Sequence, residues 1–225
     1  MESFAVWVGA GVLEVTPLTI TTLYRSGGEY TAAHVDRLAA QVAITNPEAE
    51  FEPLSDMKPW RGLRHSWPHW WGKLELFRGG LWRGPVVYLD LDTDVIGDLS
   101  ALASDDFTML SDFKRPHMPA SGVMAWTGDG PSEVYWAAYH NPERMTRYNT
   151  SARWGDQGWI RDHINEAPAR FPPHLCVSYK VHCRRAQQVP EGAVVVCYHG
   201  KPRPWHTSAE WSDKIKEARA RECAK

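Results

Sequence analysis

Short β-branched or apolar runs alternate along this chain with stretches in which apolar residues recur every three or four positions. Residues 18–25, LTITTLYR, read as a strand that is closed by the breaker pair Gly27-Gly28. The next stretch, TAAHVDRLAAQVAI, places Val35, Leu38, Ala39 and Val42 on one face of a helix. A strand, a loop and a helix in that order form the β-loop-α unit that opens many nucleotide-binding sheets. EFEPL (50–54) predicts a second strand and WWGKLELFR (70–78) a short helix. PVVYLDL (85–91) is almost continuously apolar, the pattern of a central strand covered on both faces. FTMLSDF and SGVMAW predict further strands, PSEVYWAAYH and DQGWIRDHI helices, and AVVVCYHG a late strand. SAEWSDKIKEARARECA (208–224) predicts a polar terminal helix, and the apolar FAVWVGAGVLEV (4–15) stays without an assigned element. The alternation predicts an α/β fold with a mixed central sheet, as one domain over residues 1–225.

Composition narrows the function little. The 225 residues carry a net charge of -2, so there is no global basic surface for nucleic acid. The four cysteines form no CxxC pair, which argues against a structural zinc site and fits reduced thiols in a cytoplasmic protein. No basic-then-apolar leader opens the sequence, and no apolar run reaches the roughly 18 residues of a membrane span. Twelve tryptophans are many, and Trp60, Trp67, Trp70 and Trp71 crowd a loop rich in Pro and Arg, where they serve as packing residues or as sugar-stacking surfaces.

The chemistry begins where the apolar strand runs into YLDLDTDVIGDL, with Asp90, Asp92, Asp94 and Asp98 inside nine positions. Like charges at the end of a buried strand repel and are costly to desolvate unless a cation joins them. Asp90 and Asp92, two apart, project to the same side in extended geometry. Ligands of open α/β sheets bind at the carboxyl ends of strands, and two hard oxygen donors suit Mn²⁺ or Mg²⁺ completed by phosphate oxygens. Solvated turn aspartates, with Asp98 capping a short helix, are the alternative reading.

Three more stretches change the picture: WGKLELF with Lys73, WGDQGWI with Asp156 and Gln157, and YHGKPRPW with His199, Gly200, Lys201 and Arg203. Together with the Asp-x-Asp they resemble the glycogenin-like, family 8-type retaining glycosyltransferases of the GT-A fold, in the same order over residues 18–207. The resemblance implies a single Rossmann-like GT-A domain that moves a sugar from a nucleotide diphosphate sugar, a UDP-sugar, to an acceptor hydroxyl with retention. It implies that Asp90, Asp92 and His199 hold Mn²⁺ (or Mg²⁺). It further implies that Lys73, Lys201, Arg203 and Gly200 meet the diphosphate. Leu23, Tyr24 and Tyr30 would surround the base and ribose, with Tyr30 stacked on the base; Arg25 would reach phosphate or face solvent, and Leu91 belongs to the same nucleotide-sugar-binding set. Asp156, Gln157 and Lys73 would act on the sugar or the acceptor. The usual family histidine position is Cys197 here, with His199 two residues on, and Ala120 stands where an asparagine lines the sugar pocket. Asp156 also reads as a helix cap, and the basic positions as solvated turn residues. The acceptor (a glycan, glycolipid, protein or modified DNA base) is not readable, nor is the oligomeric state. Two other classes compete. A haloacid-dehalogenase-like phosphatase carries Asp-x-Asp-x-Thr after an apolar strand, but Thr93 comes one place early. A sugar-nucleotide-binding protein would bind without transferring.

Overall fold

The computed structural model describes residues 16–148 and 154–207. The apolar stretch 4–15 and the helix expected over 208–224 lie outside the described residues. In chain order the elements are β1 (Thr19–Thr21), β2 (Leu23–Tyr24), α1 (Ala32–Thr45), β3 (Glu50–Phe51), β4 (Leu54–Ser55), β5 (Arg61–Gly62) and a 3₁₀ helix at His69–Phe77. Then come β6 (Pro85–Leu89), β7 (Thr93–Val95), a 3₁₀ turn at Leu99–Leu102, β8 (Thr108–Ser111), β9 (Pro119–Thr127), α2 (Ser132–His140), α3 (Pro142–Thr146) and α4 (Gly155–His163). The last are β10 (Ala169–Arg170), β11 (Cys176–Ser178), a π-helical turn at Tyr179–Cys183, β12 (Val195–Cys197) and a 3₁₀ turn at Pro204–His206.

The main sheet has the order β10-β8-β9-β6-β1-β3. Its strands run parallel except β9, which is antiparallel to both β6 and β8. The mixed α/β sheet expected from the sequence is thus present. Val86 and Tyr88 of β6 and Met124 and Trp126 of β9 pack into one core, with the 69–77 helix and α2. Val87 and Leu89, with Val123 and Ala125, pack into another against α1. Two covered faces explain the unbroken apolar run, since each fully buried side chain of this size contributes roughly 1.5–3 kcal/mol.

The structure redraws several boundaries. The single strand expected over 18–25 is split at Thr22, with β1 in the main sheet and β2 in a small sheet β2-β4-β5. The helix expected over 70–78 is 3₁₀ in form. On α1, Gln41 is buried and Ala39 only partly, because the Gln41 amide donates to Asp94 Oδ1 at 2.9 Å and accepts from the Val95 N–H at 3.0 Å. Strand β7 escaped the sequence reading; it pairs with β12, which pairs in turn with β11. This small sheet sets Ser178, Cys197 and Thr93 side by side at the edge of the site.

The four aspartates separate into two pairs by role. Asp94 is fully buried and bound by Arg37, by Gln41 and by the Tyr198 hydroxyl at 2.9 Å, so it ties α1 to β7 and β12. Asp98 accepts from the Ser100 N–H at 2.9 Å and caps the 3₁₀ turn, as its position suggested. That leaves Asp90 and Asp92 for the chemistry.

Candidate functional site

Asp90 follows the last residue of β6, at the carboxyl end of the parallel strands. A slip in the β8–β9 pairing shapes its surroundings: Met109 faces Met124, yet Leu110 already faces Ala120. The slip frees residues 121–123 from β8, and the Gly122 carbonyl accepts the Asp90 N–H at 2.9 Å. A Cβ on Gly122 would lie 3.3 Å from Asp90 Oδ2, so this close approach favours glycine.

Lys73 occupies the centre. Its Nζ lies 2.9 Å from Asp90 Oδ1 and 2.9 Å from Asp156 Oδ2, and it donates to the Ser121 carbonyl and hydroxyl, both at 3.3 Å. The Ser121 hydroxyl donates to Asp156 Oδ2 at 2.8 Å, and the Tyr88 hydroxyl to Asp90 Oδ1 at 2.6 Å. Burial disfavours the charged amine, but Asp156 and Asp90 outweigh it and hold the Lys73 ammonium above its ordinary range. Burial likewise pushes the Asp90 carboxyl up, with Lys73 opposing and Asp92 adding to the shift.

Asp92 is engaged from the C-terminal side. Arg203 meets its Oδ2 and also forks onto Glu29, at 3.0 Å and 2.6 Å, while the Gly200 N–H approaches Asp92 Oδ2 at 3.4 Å. Asp90, Asp92, Ser121, Gln157, Cys197 and His199 all line one cavity of about 260 Å³, with Asp112, Phe113 and Lys114 forming another part of its wall. Residue 199 reaches this cavity by a route that strand alternation does not supply. β12 ends at Cys197, and His199 has a positive φ of 26°. Its ring lies against Phe113 at 5.3 Å, and its Nε2 is 2.7 Å from the Ser178 hydroxyl. Burial, and then Lys180, lower its pKa, so the imidazole is neutral at pH 7. Burial pushes the Cys197 thiol well above its ordinary range.

The remaining expected residues spread around this centre. Leu23 and Arg25 pack against the Gly72 backbone, and Arg25 also reaches the His65 carbonyl at 3.3 Å. Tyr24 is buried edge-on to Trp60 at 5.5 Å. Tyr30 sits beneath the Arg203 guanidinium at 5.2 Å and edge-on to Trp205 at 5.9 Å. The Leu91 side chain is in the α1-side core, and its carbonyl accepts from Arg37 at 3.0 Å. Lys201 is exposed beside Gly200. Sequence reasoning missed Glu29, Tyr88, Ser121, Ser178 and the 112–114 wall. Ser121 had a visible signal, its place in PASGVMAW, whereas Glu29 had none.

Two carboxylates and a neutral imidazole around a polar cavity are hard and borderline donors that fit Mg²⁺ or Mn²⁺. As they stand, Asp92 is held by Arg203 and His199 by Ser178. Among the described residues no three His, Cys, Asp or Glu side chains are already gathered as a ligand set. No helix among them is long and apolar enough to cross a membrane.

The turn into α4 is strained. Trp154 and Gly155 have φ of 53° and 60°, and a Cβ on Gly155 would come 2.6 Å from Trp70 Nε1. Gly155→Ala should therefore cost about 1–2 kcal/mol for the left-handed backbone alone, seen as a lower urea midpoint. An unchanged midpoint would contradict this geometry.

No protein-family model matches the sequence, and no curated protein matches it either. Solved structures do. Apo-form glycosyltransferase GlyE of Streptococcus pneumoniae TIGR4 superposes with a TM-score of 0.63 at 12% identity, over 90% of this chain and 60% of that one. Galactosyltransferase LgtC, in complex with donor and acceptor sugar analogs, gives 0.60 at 13% identity over 89% and 94%. A glycosyltransferase involved in glycosylation of the major capsid of PBCV-1 gives 0.55 at 13% identity over 90% and 100%. This chain thus spans 60% of the length of the GlyE chain. At such identities the likeness establishes the fold, which is the GT-A glycosyltransferase fold.

Proposed function

We propose that this chain is a metal-dependent glycosyltransferase that moves a sugar from a UDP-sugar to an acceptor hydroxyl, with retention. One observation carries the reading. Asp90 and Asp92, Gln157 and His199, from three separate segments, line a single cavity at the carboxyl ends of the sheet, and Lys73 locks Asp90 to Asp156 beside it. Asp90, Asp92 and His199 would hold Mn²⁺ or Mg²⁺, which when bound supplies positive charge to the departing diphosphate.

The chain's own residues do the rest. Lys73 holds Asp90 and Asp156 in place with its ammonium, so neither has to reorganise as charge moves. Arg203, on leaving Asp92, and Lys201 beside it offer cations to the diphosphate, where negative charge grows only as the reaction proceeds. Tyr30 offers a ring face to the base. Asp156 and Gln157 hold sugar hydroxyls, and Ala120 leaves room beside them without an amide contact. The acceptor oxygen forms its bond to the anomeric carbon as the bond to the diphosphate breaks, and the hydroxyl proton leaves with the diphosphate.

The test is a panel of nucleotide sugars with Mn²⁺, followed by thermal shift and slow donor hydrolysis. A ligand at about a hundred times its Kd adds about 2.7 kcal/mol, a rise of roughly 5–10 °C for a chain of this size. A UDP-sugar should give that shift only with the metal present. No shift with any nucleotide sugar would remove the reading. His199→Ala should weaken Mn²⁺ binding, measured by titration calorimetry, while Cys197→Ser leaves it near the parent value. The reverse order would move the third ligand to Cys197.

A further inference from the structure

The Trp-rich segment resolves into anchors and one outlier. Trp67 and Trp71 are only 7% and 3% exposed, and Trp71 meets Trp159 edge-on in the core. Trp60 packs on Tyr24. Trp70 is 43% exposed, although it stands next to a buried tryptophan on the same 3₁₀ helix. Exposing a large indole forfeits burial energy, and a fixed, exposed aromatic ring is a common mark of a contact surface.

Trp70 is also held in place. Its pyrrole edge rests on Gly155, so closely that only a residue without Cβ fits. Gly155 opens α4 directly before Asp156 and Gln157, and Trp70 lies three positions before Lys73. The indole therefore bridges the two elements that carry the buried Lys73–Asp156 pair. It does not line the cavity of Asp90, Asp92 and His199. Gln157, which does line it, follows two residues after Gly155.

A flat apolar face set against the turn that leads to the Gln157 amide matches a pyranose ring, whose C–H face is apolar and whose rim is hydroxylated. We infer that Trp70 is an acceptor-side specificity residue, and that the acceptor is itself a saccharide whose ring stacks on the exposed indole face. This inference rests on the glycosyltransferase reading above.

The test uses the full chain with MnCl₂ and UDP, titrated with lactose, maltose and cellobiose and followed by ligand-observed NMR. UDP affinity is measured in parallel by calorimetry. At least one disaccharide should bind, Trp70→Ala should weaken it about tenfold, and Trp70→Phe should retain most of the affinity. UDP affinity should be the same in all three proteins. UDP bound together with equal disaccharide binding by parent and Trp70→Ala would overturn the role of Trp70. UDP bound with no disaccharide binding to the parent would overturn the saccharide acceptor. Failure of UDP itself to bind would instead bring down the underlying reading.

Discussion

Replacing Lys73 with methionine should destabilise the chain by about 3–5 kcal/mol, the cost of breaking a buried ion pair from one side. Methionine keeps the length of the side chain but not its charge. Asp90 and Asp156, each 2.9 Å from the lost ammonium, would then face each other's field without a cation between them. The Ser121 hydroxyl and Tyr88 hydroxyl would still donate to them, but two neutral donors do not offset two desolvated carboxylates. Urea denaturation at neutral pH measures the loss. Because the Lys73 pKa is raised on folding, its contribution is fully present below the unfolded lysine pKa. It fades only as the solution is made strongly alkaline, so a neutral-pH experiment sees all of it. Adding Asp156→Asn to Lys73→Met should recover part of the stability, a coupling that a double-mutant cycle isolates. A single-variant loss below about 1 kcal/mol, in the range of a surface pair, would show that Lys73 is not the buried bridge described here.

Replacing Asp92 with asparagine should act on function far more than on folding. The substitution keeps the volume, and Arg203 retains its fork onto Glu29. The Mn²⁺-dependent thermal shift with UDP should vanish, and transfer should fall about a thousandfold, since a metal contributes several kcal/mol and each 1.4 kcal/mol is tenfold in rate. Titration of MnCl₂ into the variant gives the cleanest readout, because it requires neither donor nor acceptor. An intact Mn²⁺ isotherm would place the metal away from Asp92 and remove the site assignment.

The contrast between these two variants follows from where each charge sits. Lys73 is buried and bound by Asp90, Asp156 and Ser121, so its removal leaves acidic groups without their cation inside the fold. Asp92 opens onto a cavity, and its present partner comes from a segment with a second anchor. The Asp-x-Asp pattern alone could not separate Asp90 and Asp92 from Asp94, whose spacing from Asp92 is the same. Only Arg37, Gln41 and Tyr198, three residues remote in sequence, turn Asp94 into a scaffold residue.

Much of the framework was legible in the linear pattern. An apolar run marked β6 as a doubly covered strand, the 3.6-residue period marked α1, and four short motifs in order marked the GT-A fold and a cluster of candidate residues. These are local properties: the period of burial and the chemistry of a strand end are written in neighbouring residues. Other features were decided only in three dimensions. The β8–β9 slip that delivers Ser121 and Gly122, the positive φ that turns His199 into the cavity, and the seating of Trp70 on Gly155 all depend on partners far along the chain. So do the pairings of Lys73 with Asp156 and of Arg203 with Asp92. A charge finds its counter-ion only after the backbone has closed around it, because the energy of that meeting depends on distance and desolvation, and neither exists until the chain has folded.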